Sequence, residues 1–136
     1  MFELFEHTAD LGLRVRGPDL TTLFRDAGDG LFSIIAEPWT RKPASREFRF
    51  ALEARRIDDL FFDWLNELLY TFDTSRYLLS EFELEMGPLR LEARAAGVEF
   101  DPVVHLLRHE VKAITYHGLR VEPDPEGWLA EVIVDI

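Results

Sequence analysis

Only two stretches of this chain repeat their apolar residues at helical spacing, and both lie early, among segments that alternate every second residue. Leu20, Leu23, Phe24, Ala27, Leu31, Ile34 and Ile35 form one stripe; Ile57, Leu60, Phe61, Trp64, Leu65, Leu68, Leu69 and Phe72 form a broader one. Asp19 stands where an N-cap is needed for the first helix, and Pro38 stops it. Asp58 and Asp59 fall in the first turn of the second, where the helix dipole favours acid, and Asp73-Thr74-Ser75 ends it.

Everything else reads as strand. Phe2 to Glu6 is a short edge strand, and Leu11 to Arg16 alternates apolar with polar, as does Glu47 to Glu53 after a polar turn from Arg41 to Ser45. Tyr77 to Glu85 and Leu89 to Ala95 form a hairpin around Met86-Gly87-Pro88. Val111 to Leu119 and Trp128 to Ile136 are further strands, with a turn at Pro123 to Gly127. Gly97 to Pro102 is a break. Two helices between early strands, then strands in succession, predict an α+β fold: both helices on one face of a mostly antiparallel sheet, in a single domain over 1–136. A chain of 15.8 kDa buries roughly two-thirds of its unfolded surface, enough for a core without staples.

The chemistry open to the chain is narrow. It has no cysteine, so disulfides, thiolate metal sites and a cysteine nucleophile are excluded, and any metal must be held by oxygen or imidazole. With 26 acidic residues against 15 basic ones, net −11, it is poorly made to grip a phosphate backbone; a protein partner is the better expectation. No N-terminal signal and no membrane-spanning run appear, so a cytoplasmic location is expected. Among the basic residues only Lys42 and Lys112 are lysines.

No nucleotide-binding glycine motif and no serine-hydrolase elbow is present. His105 and His109 are four apart, but the glutamate follows the second histidine, not the first, and Pro102-Val103-Val104 favours extended chain; surface histidines are the reading. Glu67, Asp63 and Asp73 read as solvated helix positions. In Lys112-Ala113-Ile114-Thr115-Tyr116-His117-Gly118 a strand would set Lys112, Ile114 and Tyr116 on one face and Ala113, Thr115 and His117 on the other, offering a cation and hydrogen-bond donors. The plain alternative is a strand with a polar face. His7-Thr8-Ala9-Asp10 reads as a turn between the first two strands. The run Glu131-Val132-Ile133-Val134-Asp135-Ile136 is β-branched and sets the Asp135 carboxylate beside that of Ile136. If folding also brings Asp10 there, three carboxylates share one place and call for a cation.

Three segments in register sharpen this reading: His7-Thr8-Ala9-Asp10-Leu11-Gly12-Leu13, Val111 to Leu119, and Val134-Asp135-Ile136. Ala27-Gly28-Asp29-Gly30-Leu31-Phe32 and Trp64 to Thr74 support them. Together they resemble the archease family from end to end. That resemblance implies a non-enzymatic activator of the RtcB-type RNA ligase, which joins 2′,3′-cyclic-phosphate or 3′-phosphate ends to a 5′-hydroxyl through a guanylylated histidine and manganese. Archeases promote guanylylation and repeated turnover in tRNA splicing or RNA repair. The resemblance further implies a divalent site at Asp10, Asp135 and the carboxylate of Ile136, calcium its usual occupant and magnesium an alternative. It implies functional roles for Lys112 and Glu67. His7, Tyr116 and His117 match the motifs without an implied role. Two other classes stay open: a small metal-dependent phosphoesterase using the same carboxylates, and a chaperone-like binding module.

Overall fold

The computed structural model describes residues 1–7, 10–39 and 43–136. Thr8 and Ala9 of the first motif, and Arg41 and Lys42 of the expected polar turn, lie outside the described residues. In chain order the elements are β1 (Phe2–His7), β2 (Asp10–Gly17), α1 (Leu20–Ile35), β3 (Arg46–Glu53), α2 (Ile57–Ser75), β4 (Tyr77–Gly87), β5 (Arg90–Glu99), β6 (Ala113–Ile114), β7 (Arg120–Asp124) and β8 (Gly127–Asp135).

The α+β expectation holds, with two helices and antiparallel ladders throughout the described strands. The strands, however, divide between two sheets rather than forming one. The first runs β1-β2-β8-β6, with β7 also paired to β8; the second is β3-β5-β4. Periodicity marks strands but not their partners, and here the partner of β2 lies more than a hundred residues away in β8. Helix α1 packs against β2 of one sheet and β4 of the other, and α2 lies beside α1, β3 and β6.

Local chemistry explains the helix ends. The Asp19 carboxylate accepts from the Thr22 N–H at 2.7 Å, capping α1 as the sequence predicts. The Ala36 N–H closes its far end on the Phe32 carbonyl at 3.0 Å. α2 runs on to Ser75 and stops where Arg76 turns left-handed, φ 59°. The buried Trp64 joins the helices: its indole N–H donates to the Phe24 carbonyl at 2.9 Å, and Phe24 meets Phe61 edge-on at 5.2 Å between centroids. Leu13, Val15, Val132 and Val134 supply the inner face of the first sheet. In the second, Gly97 is required: a Cβ there would stand 1.9 Å from the Leu78 carbonyl oxygen, beside the register shift between Leu79 and Glu81.

One sequence expectation fails locally. Residues 111–119 are not a continuous strand. The ladder with β8 is limited to Ala113 and Ile114, flanked by the Lys112 and Thr115 N–H groups on the Asp135 and Ile133 carbonyls at 2.8 and 3.0 Å; a turn follows, closed by the Leu119 N–H on the Tyr116 carbonyl at 3.2 Å, with Gly118 at φ +66°. The glycine supplies a left-handed residue, and the chain reverses into β7. Lys112 and Tyr116 therefore do not share a strand face.

Candidate acidic edge

Strand β8 is central. β2 flanks it on one side, β6 and β7 on the other, so the last strand is held along both edges. The register pairs Asp10 with Asp135, and Asp135 with Ala113. Successive residues of a strand alternate faces and directly opposed residues share one, so Asp10 and Asp135 project to the same side. That side is the outer one. Arg14 and Glu131, four residues along each strand, are also opposed, and there Glu131 receives hydrogen bonds from Arg14 Nε and Arg120 at 2.8 Å each.

Burial alone would raise the Glu131 carboxyl, but the Arg14 and Arg120 hydrogen bonds outweigh it and hold the group below the usual carboxylate range. At Asp10 and Asp135 two half-buried acids face each other at a cross-strand spacing of about 4.5–5.5 Å between Cβ atoms, where like charges destabilise a ladder. Both are hard oxygen donors of the kind calcium or magnesium takes. Among the described residues no three His, Asp or Glu side chains gather, so the set matches a cation only with oxygens from the backbone, from solvent or from Ile136, which follows Asp135 directly.

The other residues singled out by the sequence distribute around this edge. The backbone of His7 is the register partner of Asp10. The Lys112 N–H donates to the Asp135 carbonyl at 2.8 Å, fixing the end of β8, while its exposed side chain rims a cleft of about 640 Å³ on the helix side of the sheet. Leu69, Phe72 and Asp73 of α2 form one wall of that cleft and Leu107, His109 and Glu110 the other. Burial, reinforced by Glu110, pushes the Asp73 carboxyl up despite Arg76. Glu67 sits half-buried on α2 and is not among the residues lining the cleft. His117 is exposed in the turn, its N–H donating to Thr115 Oγ1 at 3.3 Å.

Tyr116 takes a position that strand reasoning missed. Its ring lies on Phe62, centroids 3.9 Å apart and planes within 13°. Desolvation, then the charges of Asp59 and Asp63, raise its phenol, and burial with Asp59 raises the Asp63 carboxyl. The available signal was Phe62, an aromatic residue outside the apolar stripe of α2. His105 and His109 do not share a helix: residues 101–105 form a tight turn in which His105 Nδ1 accepts from the Asp101 N–H at 2.9 Å. This agrees with their reading as surface histidines.

The fold and edge together define an α+β protein of two antiparallel sheets and two helices, in which the first hairpin and the last strand meet at a pair of aspartates. Residues 2–136 match the family model described as Archease protein family (MTH1598/TM1083). The chain is 35% identical to protein archease of Pyrococcus furiosus, covering 99% of this chain and 98% of that one. It is 34% identical to protein archease of Sulfurisphaera tokodaii, again over 99% and 98%. Its structure resembles the solution structure of a Methanobacterium thermoautotrophicum protein, with TM-score 0.88, 32% identity, and 99% and 98% of the two chains covered. The crystal structure of an archease, "possible chaperone", from Thermotoga maritima shares the fold at TM-score 0.69 and 20% identity, over 100% and 98%. This chain belongs to the archease family.

Proposed function

We propose that this protein is a non-enzymatic activator of an RtcB-type RNA ligase, promoting guanylylation of the ligase and its repeated turnover in tRNA splicing or RNA repair. The observation that carries the reading is the Asp10–Asp135 register pair, which joins the first and last motifs of the sequence at one edge. Asp10, Asp135 and the Ile136 carboxylate would hold a divalent cation, calcium before magnesium, whose charge would order the ligase's nucleotide site. The chain's own residues do the rest. β2 and β6 clamp β8 from both sides, so the aspartates are presented on rigid strand rather than on a fraying end. Lys112 anchors that end through its backbone and sets a cation at the cleft rim, where it would hold the local charge balance or reach the partner. A net charge of −11 suits approach to a basic, RNA-binding surface and gives the protein little direct hold on RNA.

The test is ligase–GMP formation with and without this protein. Wild type accelerates it and Asp10→Ala does not; no acceleration by wild type rejects the reading, and full activity of Asp10→Ala rejects the cation edge. Phosphatase and cyclic-phosphodiesterase assays with calcium, magnesium and manganese separate the phosphoesterase alternative, for which turnover in any of them is required.

A further inference from the structure

The outer face of the first sheet carries an aromatic side chain that the core does not use. Phe5 is opposed to Gly12, and Gly12 to Ile133, one row along from His7, Asp10 and Asp135. Residues two apart on a strand share a face, so this row lies on the same side as the aspartates. A Cβ at Gly12 would collide with the tip of the Phe5 ring, at Cζ and both Cε atoms. The ring therefore reaches from β1 across the bare backbone of β2. Arg14, a further row along, sets its guanidinium over that ring, 4.6 Å from the centroid. The guanidinium is itself held, by Glu131 at 2.8 Å and by Glu3 at 3.1 Å. Ile133 shows how well the row is covered: it stands outside the core cluster, yet it is only 5% exposed.

A glycine inside a strand weakens the strand and marks a close approach. Here the approach is that of the ring, and what it builds is an apolar wall beside the two acids. Phe5 and Asp10 are diagonal cross-strand neighbours, a spacing of about 7–8 Å that an aromatic side chain spans. On the β6 side the residue opposed to Asp135 is Ala113, which offers a methyl group. An apolar surround of this kind limits the access of water to the oxygens it borders.

Divalent ions differ in how they meet such a wall. Calcium accepts irregular geometry and takes carboxylates two oxygens at a time, whereas magnesium demands a near-ideal octahedron and keeps several of its waters. We propose that Phe5, seated on Gly12, determines the ion specificity of the acidic edge: its ring occupies the space that retained waters need and so favours calcium over magnesium. This rests on the cation reading above and adds the residue that selects the ion.

The test is calorimetry of the full chain, freed of metal by chelator, against calcium chloride and against magnesium chloride. The quantity read is Kd for magnesium divided by Kd for calcium. Wild type takes calcium more tightly. Phe5→Ala weakens calcium roughly tenfold and leaves magnesium little changed, so the ratio falls by about the same factor. Gly12→Ala, which keeps the ring and removes its seat, lowers the ratio too, and the double variant falls no further than Phe5→Ala alone. Phe5→Leu keeps an apolar side chain on β1 with less reach; it shows the same fall and serves where the other variants do not fold. A wild-type ratio in the folded variants overturns the role of Phe5 and leaves the cation edge standing. Both Kd values rising in step mark a loosened β1–β2 ladder and overturn it as well, as does a wild type that prefers magnesium. Wild type that binds neither ion removes the cation edge and this inference together. No ligase enters the assay, so ligase–GMP formation tests the ligase reading separately.

Discussion

Replacing Asp10 by asparagine should reverse the order of stability between chelator and calcium. The substitution keeps shape, exchanges one acceptor oxygen for an amide donor, and removes one of two charges facing each other across the β2–β8 ladder. For half-buried groups about 5–6 Å apart in a largely solvated setting, the repulsion relieved is roughly 1 kcal/mol. In a chain of 136 residues that corresponds to about 4 °C in Tm. With chelator present, Asp10→Asn therefore melts about 4 °C above wild type. Calcium at a hundred times its Kd stabilises wild type by about 2.7 kcal/mol, on the order of 10 °C, and lifts the variant little. Differential scanning calorimetry in both conditions gives four Tm values whose pattern must cross. A variant less stable than wild type in chelator would mean that the Asp10 carboxylate serves the fold through local bonds. Equal gains on adding calcium would place the cation elsewhere. Either result refutes the reasoning.

Acid titration of stability should show two opposite slopes. Glu131 is held below the usual carboxylate range, so its contribution is present above its unfolded value and lost as pH falls through the folded one; Glu131→Gln flattens the acid limb of a urea-midpoint profile. Asp63 is raised by burial and by Asp59, so the fold is penalised while it is charged; Asp63→Asn stabilises at pH 7, and the gain disappears as pH falls below the folded value. Gly97→Ala forces a Cβ to 1.9 Å from the Leu78 carbonyl oxygen and costs more than about 3 kcal/mol, whereas Gly118→Ala, with nothing within 4 Å and φ +66°, costs only about 1–2 kcal/mol of backbone strain; chemical denaturation ranks them. Trp64→Phe removes the indole bond to the Phe24 carbonyl, which keeps its bond within α1, and leaves a void beside it, lowering stability by about 1–3 kcal/mol without altering the denaturant slope.

The helices were legible because their signals are local. The 20–35 and 57–72 stripes, the Asp19 cap and Pro38 each act within a few residues, and α1 and α2 begin and end close to those marks. Pairing is not local. Nothing in Glu47 to Glu53 distinguishes a strand that joins β5 from one that joins β2, so two sheets were read as one. Residues 111–119 read as strand because β-branched and aromatic residues favour it on average, whereas the chain leaves β8 after Thr115 and turns at Gly118, a glycine at positive φ.

At the acidic edge the limits are different. Composition could say that a carboxylate-rich, cysteine-free chain would take a hard cation if it took one, but the meeting of Asp10 with Asp135 depends on a contact across 125 positions. The motifs name candidate residues without telling where their side chains point. Lys112 shows the difference. By sequence it belongs with Tyr116 on one strand face; by structure its backbone holds the aspartate strand while its side chain looks into the cleft bounded by Asp73 and Glu110. A lysine so placed is tied to the edge through the peptide group, which substitution at Cβ leaves intact. Lys112→Ala should therefore preserve the Asp10–Asp135 register and any calcium-dependent gain in Tm, so that a loss of ligase activation in that variant reports on the cleft alone.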